Sequence, residues 1–88
     1  MPVAFDSGKN ILNFAKHGLE LSGFGGFDVD PTPIALVDHR RNYGEIRYRA
    51  FSRIDGEGYM IAYTVRGDDL WLISFRRTHE KELRKYGL

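Results

Sequence analysis

The spacing of apolar residues divides the chain into a helical opening and a strand-like remainder. Ile11, Phe14 and Ala15 recur at helical spacing with Leu12 beside them, which predicts a helix from about Ser7 to His17. Asp6 or Ser7 offers the first turn an N-cap oxygen. Lys16 and His17 complement the C-terminal dipole, and Gly18 supplies the left-handed residue that ends the helix. From Glu20 to Phe27 the apolar residues Leu21, Phe24 and Phe27 again stand three apart. Gly23, Gly25 and Gly26 oppose a helix there, at about 1 kcal/mol each relative to alanine, so a short helix or an ordered turn is expected. Asp30-Pro31-Thr32-Pro33 breaks the run.

Beyond the prolines the period changes. Ile34 to Val37 reads as a short strand. Ile46, Tyr48, Ala50, Ser52 and Ile54 alternate with Arg47, Arg49, Phe51 and Arg53, the pattern of a strand with one solvated face. Asp55-Gly56-Glu57-Gly58 marks a hairpin turn, Tyr59 to Val65 a strand, Arg66-Gly67-Asp68-Asp69 a second tight connection, and Leu70 to Phe75 another strand. On that last strand Trp71, Ile73 and Phe75 alternate, as if along one face, and read as core or interface. Thr78 is placed to cap a final helix running to Tyr86. The fold class is α+β: N-terminal helices, a mostly antiparallel β-sheet meander and a short C-terminal helix, forming one domain over residues 1–88.

Composition narrows the range of functions. At 88 residues the chain has one core and buries roughly two-thirds of its unfolded surface, so a stable partner adds to its stability. It has no cysteine, which excludes disulfides and thiolate metal sites, and no long apolar run or signal pattern, so a cytoplasmic location is expected. The net charge is only +1, yet Arg40, Arg41, Arg47, Arg49 and Arg53 lie close together. A local basic face on a nearly neutral domain points to a specific polyanion or acidic partner.

The candidate chemistry lies in arginine. The turn from Asp38 to Arg47 feeds a strand, and later strands end at Arg66 and at Arg76-Arg77. In a meander such ends can converge on one sheet edge, gathering guanidinium groups and the Glu45 carboxylate around RNA phosphate. Arg66 and Arg76 are the candidate transition-state stabilisers, because guanidinium stays charged without pKa tuning. The plainer alternative is that both are solvated strand-end arginines. Glu45 is a candidate general base, or a partner that fixes Arg47 or Arg49. His17 could shuttle protons, but its place at a helix end explains it as a C-terminal cation. Lys9 and Lys16, seven apart with Asn13 between, share a helix face that fits a phosphate backbone, an acidic protein segment or plain solvent. Tyr86, near the C-terminus, is the aromatic best placed to stack on a base, whereas Tyr63 reads as core or edge packing. No pair among His17, His39 and His79 has metal-ligand spacing, so neither metal nor cofactor is expected.

Four segments carry a family resemblance. Phe5-Asp6-Ser7-Gly8-Lys9, followed by Asn13 and Lys16-His17-Gly18, resembles the opening signature of the BrnT toxins. Asp38, Arg40, Tyr43-Gly44-Glu45 and Arg47 resemble the second. Tyr63-Thr64, Arg66-Gly67 and Ile73-Ser74-Phe75-Arg76-Arg77 resemble the third, and Glu82, Arg84 and Tyr86 the ending. The resemblance implies a RelE-like fold and the toxin of a type II toxin–antitoxin pair. Such a toxin is an endoribonuclease that cleaves RNA, inhibits translation and growth, and is neutralised by a ribbon-helix-helix antitoxin that also binds DNA. It implies catalytic roles for Arg66 and Arg76, with Arg77 where the family has lysine. Arg47, Arg77, Lys9, Lys16 and Tyr86 are then the candidate RNA contacts. The chain departs from the family pattern at Phe5, usually tryptophan, at the glycines of the second segment, and at Phe75, usually small. The rival reading is a non-catalytic binding module, or a decayed toxin retained in a DNA-binding regulatory complex.

Overall fold

The computed structural model describes residues 2–88 as one five-stranded sheet with helices at one edge and on both faces. In chain order the elements are β1 (Val3–Phe5), α1 (Ser7–His17), a 3₁₀ turn (Leu21–Gly23), β2 (Ile34–Val37), β3 (Tyr48–Ile54), β4 (Glu57–Arg66), β5 (Asp69–Arg77) and α2 (Glu80–Lys85). The strand order is β1-β5-β4-β3-β2. β2 to β5 form an antiparallel meander, and β1 pairs in parallel with β5, Ala4 opposite Trp71. Among the described residues no helix is long and apolar enough to cross a membrane.

Local chemistry sets most boundaries. Asp6 accepts the Lys9 amide at 3.0 Å and caps α1, while Gly18, at φ 72°, closes it with its amide on the Phe14 carbonyl. Asp55 and Gly56 both have positive φ, so the β3–β4 connection is a two-residue turn whose twist matches the strands. Leu21 and Phe24 are buried, so the glycine-rich segment is an ordered turn plugged into the core and not a regular helix.

The two sheet faces carry separate clusters. Leu21, Phe24, Ala50, Ile61, Leu72 and Phe75 fill one face beneath the 3₁₀ turn. Phe51, Met60 and Leu83 fill the other, where α2 lies. A Cβ on Gly58 would come within 2.7 Å of Leu83 Cδ1, so this glycine lets α2 close onto the sheet. Arg53 ties the same helix down with two contacts to Glu80, of 2.7 and 3.0 Å.

Several expectations need correction. The apolar stripe of α1 faces solvent: Ile11 is 70 % exposed and Phe14 55 %, while the residue turned inward is Asn13. The reason is the free edge of β5 beyond β1, whose backbone groups need partners that only an amide side chain supplies. β1 has no sequence signal, being three residues long. β3 begins at Tyr48 instead of Ile46, whose carbonyl is taken by the Thr64 hydroxyl. A register shift between Ala62 and Tyr63 skips Ile73, so Trp71 and Phe75 point to opposite faces. The last helix starts after His79, because the Thr78 amide still bonds Gly58 across the sheet and its hydroxyl caps nothing.

Candidate functional site

The α2-bearing face collects most of the basic side chains, and strand register fixes where each one sits. Side chains alternate along a strand, so Phe51 in the α2 cluster puts Arg47 and Arg49 on its own face. Met60 does the same for Ala62, Thr64 and Arg66 on β4. Across from these on β5 lie Trp71 opposite Thr64, Ser74 opposite Ala62 and Arg76 opposite Met60. Arg77 pairs with Tyr59 and turns to the other face, away from Arg76.

The expected convergence of strand ends occurs in part: Glu45 and Arg47 meet Arg66, whereas Arg76 and Arg77 lie elsewhere. β4 and β5 run in opposite directions, so Arg66, opposite Asp69, and Arg76, opposite Met60, lie at opposite ends of one hairpin. Six residues of strand separate their rows, roughly 20 Å at about 3.3 Å per residue. The face therefore carries two arginine centres. Arg49 lies between their rows on β3, a basic residue that sequence spacing did not single out.

At the first centre Glu45 accepts from Arg47 Nε at 3.0 Å and from Arg66 Nη2 at 3.4 Å. The Arg66 guanidinium lies over the Trp71 ring, 4.7 Å from its centroid, and Arg47 lies 4.3 Å over Tyr43. The Arg47 hydrogen bond, followed by Arg66, holds the Glu45 carboxyl below its ordinary pKa. The adjoining turn is braced by Asp38, which is buried and takes two contacts of 2.8 Å from Arg40 and one of 3.0 Å from Tyr43. Arg40 is thereby used in structure, as Arg53 is at the far end. A hollow of about 570 Å³ opens beside this turn, bordered by His39, Arg41, Tyr43, Glu45 and Arg47.

At the second centre Glu82 of α2 grips both Arg76 terminal nitrogens at 3.0 Å, a forked pair that fixes the guanidinium plane. This pairing keeps the Glu82 carboxyl below its usual range. Beside it, Lys9, Lys16, His17, Ile73 and Ser74 line a shallow cleft of about 250 Å³ between α1 and β5. Burial, then Lys16 and Arg76, push the His17 imidazole below its ordinary pKa. His17 stands in the last turn of α1, as its sequence position suggested, and burial and the neighbouring cations disfavour its charged form.

Tyr86 is not the free aromatic that its place in the chain implied. Its ring stacks on Phe51 with centroids 4.4 Å apart and helps seat α2. Among the described residues no group of three or more His, Cys, Asp or Glu side chains is placed to hold a metal ion.

A mostly antiparallel sheet edged by one helix, with carboxylate-held arginines on one face, defines a small α+β protein. Comparison with known families gives the particular case. The profile of the ribonuclease toxin BrnT, of type II toxin–antitoxin systems, matches residues 5–82, and the chain belongs to that family. It is a ribonuclease toxin whose partners are an antitoxin and RNA. No curated protein matches the sequence.

Proposed function

We propose that this chain cuts RNA without a metal ion, by attack of a ribose 2′-hydroxyl on the adjacent phosphate, at the α2-bearing face of the sheet. The observation that carries this reading is the pair of carboxylate-held arginines there, Arg66 on Glu45 and Arg76 on Glu82. Guanidinium held in a fixed plane meets the oxygens of a phosphorane with little reorganisation. The 2′-oxygen bonds to phosphorus and the P–O5′ bond breaks, leaving a 2′,3′-cyclic phosphate and a 5′-hydroxyl.

The chemistry is assigned to the Arg76 end. That end offers His17, whose imidazole burial pushes below its ordinary pKa, to accept the 2′-hydroxyl proton, while the departing 5′-oxygen takes a proton from Lys16 or solvent. Arg66 and Arg47, some 20 Å away by strand rise, hold a flanking phosphate, and Trp71 backs Arg66. Lys9 and Lys16 extend the phosphate grip along α1. Arg77 and Tyr86 have no part in this arrangement. Glu45 and Glu82 act by orienting arginine. The toxin works in the cytoplasm, and its antitoxin is a ribbon-helix-helix protein that carries the pair to DNA.

The test is cleavage of purified RNA, with and without translating ribosomes, by wild type and by Arg76→Ala, Arg66→Ala and His17→Gln variants. The Arg76 variant should lose about 10²–10³-fold in kcat, and the Arg66 variant mainly raises KM. The His17 variant should lose the acid limb of the pH–rate profile. Wild-type rates in the Arg76 variant would remove the assigned centre. Intact RNA under both conditions from a folded wild-type chain would favour the non-catalytic binding module.

A further inference from the structure

The solvent side of α1 is an apolar surface that nothing among the described residues covers. The helix touches the sheet along a narrow strip centred on Asn13, flanked by the partly buried Asn10 and His17. At about 100° per residue, the opposite arc carries Ile11, Phe14, Ala15 and Leu12. Ile11 and Leu12 are 70 % and 69 % exposed, more than isolated surface apolar residues require on so short a helix. Lys9 and Lys16 border this arc on the side that faces the cleft above Ser74. Among the described residues neither lysine has a carboxylate partner within ion-pair distance.

We infer that this face of α1 is the docking surface for the antitoxin. The inference rests on the toxin reading above. The occupant is an amphipathic segment whose apolar side chains cover Ile11, Phe14 and Leu12 and whose acidic residues meet Lys9 and Lys16. Charge selects this partner over a second copy of the chain. Two α1 helices meeting face to face would bring four ammonium groups towards one another, and like charges across a contact oppose association. An acidic segment instead gains two charge-assisted contacts at the rim of an apolar core, the usual layout of a protein interface. Docking there also explains neutralisation. Lys9 and Lys16 line the cleft beside Arg76, so a segment bound to them blocks the approach of RNA phosphate.

The experiment compares wild type with an Ile11→Gln/Phe14→Gln variant. Glutamine keeps helix propensity close to that of the residues replaced and removes only the apolar surface. Binding to the purified antitoxin encoded beside the toxin gene is measured by titration, growth arrest is scored with and without antitoxin, and thermal unfolding verifies the fold. The expected result is an antitoxin Kd weakened about thirty-fold or more, with growth arrest and melting midpoint retained. A variant that binds antitoxin within about twofold of wild type overturns the inference. So does a dimer of the free toxin that the variant dissolves in sedimentation, or a loss of RNA binding at unchanged antitoxin affinity. Growth arrest and cleavage both absent in wild type would refute the ribonuclease reading alone, because the titration still reports on the α1 surface.

Discussion

Asn13 holds Phe75 by both of its backbone groups: Nδ2 donates to the carbonyl at 2.9 Å, and Oδ1 accepts from the amide at 3.1 Å. The same side chain donates to the Leu19 carbonyl at 2.7 Å. One amide thus continues the ladder where β1 stops and fixes α1 to the sheet edge.

Asn13→Leu should therefore destabilise the fold by about 2–4 kcal/mol, because buried backbone groups at Phe75 lose partners that water does not replace. Asn13→Asp keeps the acceptor, loses both donors and should also be destabilised. Urea unfolding measures both. A loss under about 0.5 kcal/mol for the leucine variant would show that solvent or another group satisfies the edge.

Glu45 separates two chemical roles. Its carboxyl is held below the ordinary range by Arg47 and Arg66, so it is a poor acceptor of a hydroxyl proton. Glu45→Gln should lower kcat/KM by about tenfold or less, chiefly through KM, and leave the shape of the pH–rate profile unchanged. A fall of about 10²–10⁴-fold in kcat would make Glu45 the general base instead.

Acid stability should depend on Asp38. Its carboxyl is held well below the ordinary 3.8, first by the Arg40 hydrogen bond, against the opposing effect of burial. A depressed carboxylate pKa adds stability that is fully present above the unfolded value and is lost as pH falls below it. Glu80 and Glu82 act with the same sign. The readout is thus the difference between wild type and Asp38→Asn: the melting midpoint of wild type should fall more steeply below about pH 4. Parallel curves for the two proteins would remove Asp38 from the account.

Local signals were legible wherever one residue decides the backbone. Asp6, Gly18 and the Asp55-Gly56 turn stand where their chemistry predicts, and the meander follows from period-two alternation between turns. Signals failed where a partner distant in sequence decides. The apolar residues of α1 have the right spacing for burial, yet β5 lies 62 positions from Asn13 and selects the amide for the inner face. Trp71 and Phe75 obey alternation locally, and only the register shift opposite Tyr63 separates them. Tyr86 looked free because its stacking partner, Phe51, lies on β3, far away in sequence.

By itself the sequence determined the class of fold, the turns, the two main helices and the arginines, because these depend on propensities and on contacts within a few residues. The four motifs also carried the family. Only the tertiary structure decided that Arg66 and Arg76 occupy opposite ends of one hairpin, each held by a carboxylate from another element. It also decided that His17 shares a cleft with Lys9, Lys16 and Ser74 and that Ile11, Leu12 and Phe14 of α1 are exposed. The physical reason is the same in each case. Side-chain direction follows from strand polarity, register and the hydrogen-bonding needs of a sheet edge, and none of these is written within any single stretch of the chain.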